Sequence, residues 1–163
     1  MEIALSVPPR VLLGSLGTLK VTVAGVPLAF TDSAPAAPSS ITVETGSTVD
    51  SISSAQNSDP ATGRNTITIG GTSGAITAKN STVNVNGGHT GNITLTTGAV
   101  SVSGNRASVG DVELNNDATF NLTGTNCTVG ALSVNANGTP ATVTFNVPND
   151  PSNARLLNFP SDQ

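Results

Sequence analysis

Gly91-Asn92-Ile93-Thr94-Leu95-Thr96-Thr97-Gly98-Ala99-Val100-Ser101-Val102-Ser103-Gly104 holds two short alternating runs side by side. Ile93 and Leu95 alternate with Thr94 and Thr96. Val100 and Val102 alternate with Ser101 and Ser103. Strict alternation of aliphatic and polar residues is the period of a β-strand, whose successive side chains point to opposite faces. Each run therefore offers one inward aliphatic pair and one outward polar edge.

The same unit recurs on both sides of this stretch. Gly74-Ala75-Ile76, Gly110-Asp111-Val112 and Gly130-Ala131-Leu132 repeat the pattern of Gly91-Asn92-Ile93, with glycines spaced 17, 19 and 20 residues apart. The strands that follow carry inward pairs Ile76/Ala78, Ile93/Leu95, Val112/Leu114 and Leu132/Val134. A second set lies between them, with pairs Ile67/Ile69, Val83/Val85, Val100/Val102, Phe120/Leu122 and Val143/Phe145. One coil of this kind cannot bury its aliphatic pairs alone. Stacking coil on coil makes a continuous aliphatic ladder and pairs each strand with the backbone of the next. The expected fold is all-β: a short β-solenoid with an N-terminal β-strand segment. A β-sandwich or meander with hairpins at similar intervals is the alternative, and the uniform Gly-x-aliphatic corners favour the solenoid. Glycine at these corners is expected to permit a tight turn, including positive φ. Asn86-Gly87-Gly88, Gly104-Asn105, Asn115-Asn116-Asp117 and Asn137-Gly138 are expected to supply the other corners.

Composition agrees with a narrow stacked interior. Among 163 residues there is no Trp or Tyr, and Phe occurs four times. The core must come from Val, Ile, Leu and Ala, which suit strands. Only 10% of residues are charged, against about 25% in ordinary soluble domains. The net charge of −4 and scattered Lys and Arg give no basic stripe, so nucleic acid is not an expected partner. Nor is membrane insertion, because no apolar run approaches the roughly 20 residues of a spanning helix. The N-terminus, Met1-Glu2-Ile3-Ala4-Leu5-Ser6-Val7-Pro8-Pro9, has an acid where a signal peptide has basic residues. The expectation is a chain made in a cytoplasm and not exported by the usual route.

Three regions are expected. Residues 1–40 form an N-terminal β segment and linker that anchors or caps. Residues 41–148 form the solenoid, with Ile41/Val43, Val49 and Ile52 as an irregular first coil and Ser53 to Gly63 as a polar loop. Residues 149–163 form a C-terminal cap or tail. In the first region Leu19, Val21 and Val23 alternate with polar residues, and the linker is Ser33-Ala34-Pro35-Ala36-Ala37-Pro38-Ser39-Ser40. So short a segment carries more aliphatic surface than it can bury by itself. Leu19, Val21, Val23, Leu28 and Phe30 are therefore the expected interaction residues.

Catalytic chemistry finds little support. Asp111 and Glu113 flank the inward Val112 and share one outer face, about 7 Å apart at strand rise, with Asp117 nearby. Two carboxylates at such a spacing serve glycoside cleavage, but no Trp or Tyr offers a sugar platform, and solvated surface acids are the plainer reading. A Ca²⁺ site over residues 111–117 lacks the spacing of a known calcium loop. His89, the single histidine, reads as an exposed turn residue, and Cys127, the single cysteine, as a small buried hydrophobe. Sequons at Asn80, Asn92, Asn121, Asn126 and Asn137 arise by chance in so Asn- and Thr-rich a chain. Outward threonines such as Thr66/Thr68, Thr82 and Thr119 form a partial ladder. Ice-binding solenoids use flat, regular Thr arrays. Here the coil length drifts and Asn interrupts the array, so Thr reads as an ordinary solvent-facing strand residue. No catalytic residue, cofactor or metal is expected.

The runs Gly91-Asn92-Ile93-Thr94-Leu95-Thr96-Thr97-Gly98 and Ala99-Val100-Ser101-Val102-Ser103-Gly104 resemble the Gly-Asn-Ile/Leu-Thr repeats of bacteriophage tail-fibre, tailspike and other virion surface proteins. The similarity covers roughly residues 65–147. It implies a non-enzymatic decoration, fibre or appendage subunit, located in the virion, whose partners are copies of itself or other virion proteins. Filamentous bacterial adhesins share the pattern and imply the alternative of a cell-surface module that holds host glycans. The Gly-x-Ile corners are also similar to those of bactofilins, which are self-assembling cytoplasmic scaffolds.

Overall fold

Val83 pairs with Ile67 on one side and Val100 on the other, and Val100 pairs with Phe120, all in parallel strands. All four side chains are fully buried. This column is the spine of a β-solenoid. The structure is a computed structural model, and it describes residues 10–13, 18–21, 29–33, 40–55, 64–135 and 142–143.

The strands in chain order are β1 (Arg10–Leu13), β2 (Thr18–Val21), β3 (Ala29–Ser33), β4 (Ser40–Val43), β5 (Thr48–Ala55), β6 (Asn65–Ile69) and β7 (Thr72–Asn86). They continue as β8 (His89–Thr90), β9 (Ile93–Ser103), β10 (Ser108–Val109), β11 (Val112–Leu122), β12 (Thr128–Val129), β13 (Leu132–Asn135) and β14 (Thr142–Val143). The described residues hold no helix.

Three parallel ladders wrap one aliphatic core. Ladder I joins β2, β4, β6, the second halves of β7, β9 and β11, and β14. Its inward pairs run Ile41/Val43, Ile67/Ile69, Val83/Val85, Val100/Val102 and Phe120/Leu122. Ladder II joins β1, β3, β5, the first halves of β7, β9 and β11, and β13. It stacks Ile52, Ile76, Ile93, Val112 and Leu132. Both sequence-predicted strand sets thus hold their register. Val134, at the last described inward position of ladder II, is 40% exposed.

Ladder III was not expected. It joins the start of β5, the start of β7, and β8, β10 and β12, two residues per coil. Its inward column is Val49, Ser73, Thr90, Val109 and Val129, one side chain per coil and chemically mixed.

The corners correct the expected role of glycine. Gly74, Gly91, Gly110 and Gly130 do not have positive φ. They are small because successive coils touch there. Gly91 N–H donates to Gly74 O at 3.1 Å, Gly110 to Gly91 at 3.2 Å, and Gly130 to Gly110 at 3.1 Å. Left-handed backbone falls instead at the other two corners. Between ladders II and I it is taken by Asn80, Thr97 and Asn116 (φ 47°, 62° and 59°). Between ladders I and III it is taken by Gly46, Gly87, Gly104, Arg106 and Asn126, with Gly87 and Gly104 in turns expected from the sequence. A chain that turns at one αL residue need not leave the sheet, so β7, β9 and β11 each run through a corner without a break. Asn115-Asn116-Asp117 accordingly lies inside β11 with a register shift against β9, not in a separate turn.

The first coil is also more regular than expected. Ile41 and Val43 pair with Ile67 and Ile69, and Val49 with Ser73. Ser53, Ser54 and Ala55 belong to β5 and not to a loop. Ser54 is buried, receives a hydrogen bond from Asn65 Nδ2 at 2.8 Å and lies 3.5 Å from Ser81 Oγ. These polar partners satisfy each other inside the core, as buried polar groups must.

Candidate functional site

Gly110 and Gly130 each precede the coil-to-coil contact of a polar side chain. At the corner between ladders III and II the residue after glycine is Ala75, Asn92, Asp111 or Ala131. Asn92 Oδ1 accepts the Asp111 N–H at 3.0 Å, and Asp111 Oδ1 accepts the Ala131 N–H at 2.9 Å. The corner glycines make room for this. A Cβ built on Gly110 would lie 2.5 Å from Asn92 Oδ1, and one on Gly130 would lie 2.4 Å from Asp111 Oδ1. Asp111 is thus an acceptor for the next coil's backbone, one rung up the column from Asn92.

Glu113 sits two residues further on the same outer face and is exposed. Its Oε1 accepts Asn115 Nδ2 at 3.1 Å and Asn135 Nδ2 at 3.4 Å, while Asn135 Nδ2 also reaches Asn115 Oδ1 at 3.1 Å. Together with Asn92, Thr94 and Ser133 the two acids line a shallow depression of about 230 Å³. The structure therefore does bring Asp111 and Glu113 together, as the alternation predicts. It commits both to hydrogen bonds that tie coils together. Asp117 is exposed in the bulged part of β11.

A second depression, about 340 Å³, lies at the corner after ladder I and is lined by Thr42, Glu44, Thr45, Thr68, Gly70 and Asn86. Thr45 Oγ1 donates to Gly70 O there at 3.3 Å. Among the described residues no group of three His, Cys, Asp or Glu side chains is placed to hold a metal ion.

His89 is exposed, but in the short strand β8 and not in a turn. Cys127 is fully buried, its Sγ 3.5 Å from Thr125 O and 3.9 Å from Gly104 O. Burial pushes its thiol pKa up, and hydrogen bonds from the backbone of Ala107 and Arg106 oppose the shift. Asn80 is only 4% exposed and holds an αL corner, so its sequon is out of reach in the folded chain. Asn137 lies outside the described residues.

The expected interaction residues fall partly into ladders. Leu19 and Val21 pair with Ile41 and Val43, and Phe30 lies between Val11 and Ile52. Val23 and Leu28 lie outside the described residues, as do the tail 149–163 and the Phe145 position. The ladders cross residue 40 without a change of partner order.

The residues that sequence reasoning missed are the coil-to-coil acceptors Asn92 and Asp111 and the buried Ser54, Asn65 and Ser81. A signal for the first pair was present: Gly-Asn and Gly-Asp at successive corners. No protein-family model, curated protein or solved structure matches this chain.

Proposed function

We propose that the chain is a non-enzymatic structural protein, a rod-forming subunit of a larger assembly. One observation carries the reading: Asp111, one of the two acids weighed and set aside as catalytic candidates, has its Oδ1 engaged by the backbone of the next coil. That bond joins two coils of the same chain, which is the work of a structural side chain. Glu113, bridging Asn115 and Asn135, supports the same view. The resemblance of residues 91–104 to virion surface repeats supports a bacteriophage virion as the assembly, with the chain as a decoration, fibre or appendage subunit. The pairing of β2 with β4 and of β3 with β5 supports an N-terminal segment that extends and caps the stack.

The test is co-sedimentation. Full-length protein is expected to travel with assembled particles in a lysate of its source and to show no glycan cleavage. Cleavage that vanishes in Asp111→Asn or Glu113→Gln would replace the structural reading with an enzymatic one. Protein found only free of particles would remove the virion setting.

A further inference from the structure

The sheet face that ladder I turns to solvent is regular although the coils are not. The chain takes 16 residues from Ile67 to Val83, 17 to Val100 and 20 to Phe120. All of that drift is absorbed at corners, because the residues of ladder I remain opposite one another from β4 to β11. One outward column runs Ser40, Thr66, Thr82, Ala99 and Thr119, with Thr142 continuing the backbone register. The neighbouring column runs Thr42, Thr68, Asn84, Ser101 and Asn121. Every described member of both columns is half-buried, so the side chains stand shoulder to shoulder.

None of these positions is charged. Arg10, Asp32, Glu44, Asp50, Lys79, Arg106, Asp111 and Glu113 stand at corners or on ladder II, while Arg64 just before β6 and Asp117 just before Ala118 flank the face at its edge. Lys20 takes the register position beside Thr42 at the N-terminal end. The face therefore repeats hydroxyl, methyl and amide groups at about 4.8 Å between strands and about 7 Å along them. Strand pairing fixes the backbone, and threonine χ1 is stiff, so the array is already ordered before anything binds.

The chemistry narrows the partner. A protein interface of ordinary stability buries about 800 Å² per partner and is anchored by Trp, Tyr, Arg or Met. The five strands with described side chains give about 400 Å² here, with none of those anchors. A sugar ring has no aromatic to stack on. An ionic lattice meets no carboxylate or ammonium within the two columns from β4 to β11. A neutral, periodic, hydrogen-bonding solid remains.

We propose that the outward face of ladder I binds ice: its Thr, Ser and Asn columns order water at the strand repeat, and that layer joins the crystal. Each contact is weak, but a rigid array adds them without further loss of side-chain freedom. The inference rests on the fold alone and goes beyond the structural role.

The experiment grows ice slowly from a solution of the full chain and measures the protein taken into the solid. Incorporation is expected for the wild-type chain. Thr82→Lys with Thr119→Lys should lose it, because two ammonium groups break the array, whereas Thr77→Lys with Thr94→Lys on ladder II should keep it. All four positions face solvent, and circular dichroism before freezing separates lost binding from lost folding. Exclusion of the wild-type chain from ice, at the level of an ordinary globular protein, overturns the proposal. So does equal loss in the two double variants, or retention on crystalline cellulose with exclusion from ice. Particle association plays no part in this measurement, so its failure leaves the virion reading standing.

Discussion

Asp111 Oδ1 accepts the backbone N–H of Ala131 at 2.9 Å, joining one coil to the next across the glycine corner. The bond needs an oxygen at that position and not a charge. Asp111→Asn should therefore change stability by less than about 0.5 kcal/mol, while Asp111→Ala should cost about 1 kcal/mol, the net worth of one hydrogen bond. Urea unfolding of the two variants makes the comparison. Equal losses would mean that the carboxylate contributes through charge or not at all.

Gly98 occupies the point where β9 turns from ladder II to ladder I. Its φ is +135°, and a Cβ there would lie 1.9 Å from Ser81 O and 2.9 Å from Ser81 C. Neither a rotamer nor a side chain can relieve a clash with backbone. Gly98→Ala should cost about 3 kcal/mol or more, read as a lowered unfolding midpoint. A midpoint within error of the wild-type value would place the two coils further apart than this corner has them.

Thr97 adopts φ 62° between Asn80 and Asn116, which hold the same conformation in the coils on either side. A β-branched residue is disfavoured there, whereas asparagine tolerates it. Thr97→Asn should raise stability by about 1 kcal/mol. Thermal unfolding checks the sign, which is the informative part, since most substitutions in a strand lower stability.

Ladders I and II were legible because each coil contributes two inward aliphatics separated by one polar residue, as in Ile93/Leu95 and Val100/Val102. Ladder III was not, because Val49, Ser73, Thr90, Val109 and Val129 are isolated and mixed in type, and two residues make no period. The positive-φ corners at Gly87, Gly104 and Asn116 fall within turns read from the sequence, whereas those at Thr97 and Arg106 were hidden. Thr97 and Arg106 are poor αL residues, so their conformation is imposed by the neighbouring coils rather than by local preference. At the candidate site the alternation correctly put Asp111 and Glu113 on one face. It could not distinguish a solvated acid from one that accepts a hydrogen bond from a coil 20 residues away.

Cys127 is fully buried and its pKa is raised, chiefly by burial. The folded state thus holds the thiol proton more tightly than the unfolded state, whose group titrates near 9.0. The sign follows: this contribution is constant below that pH, and stability falls as pH rises through it, because only the unfolded chain readily releases the proton. Wild-type protein should lose melting temperature above pH 9 more steeply than Cys127→Ala. Identical slopes would show that the thiol is already solvated in the folded chain.

The stacking of coils in one fixed register underlies every argument above, and a paired-cysteine experiment tests it most directly. Thr82 and Ala99 are direct partners in adjacent parallel strands and face outward, while Val100 faces the core. In a Cys127→Ala background, Thr82→Cys with Ala99→Cys should form a disulfide on mild oxidation, since paired strands bring Cα atoms within the roughly 4.4–6.8 Å that the bond requires. Thr82→Cys with Val100→Cys should not, because the second thiol points to the opposite face. Ready cross-linking of the second pair, with none in the first, would shift the coils by one residue and contradict the account.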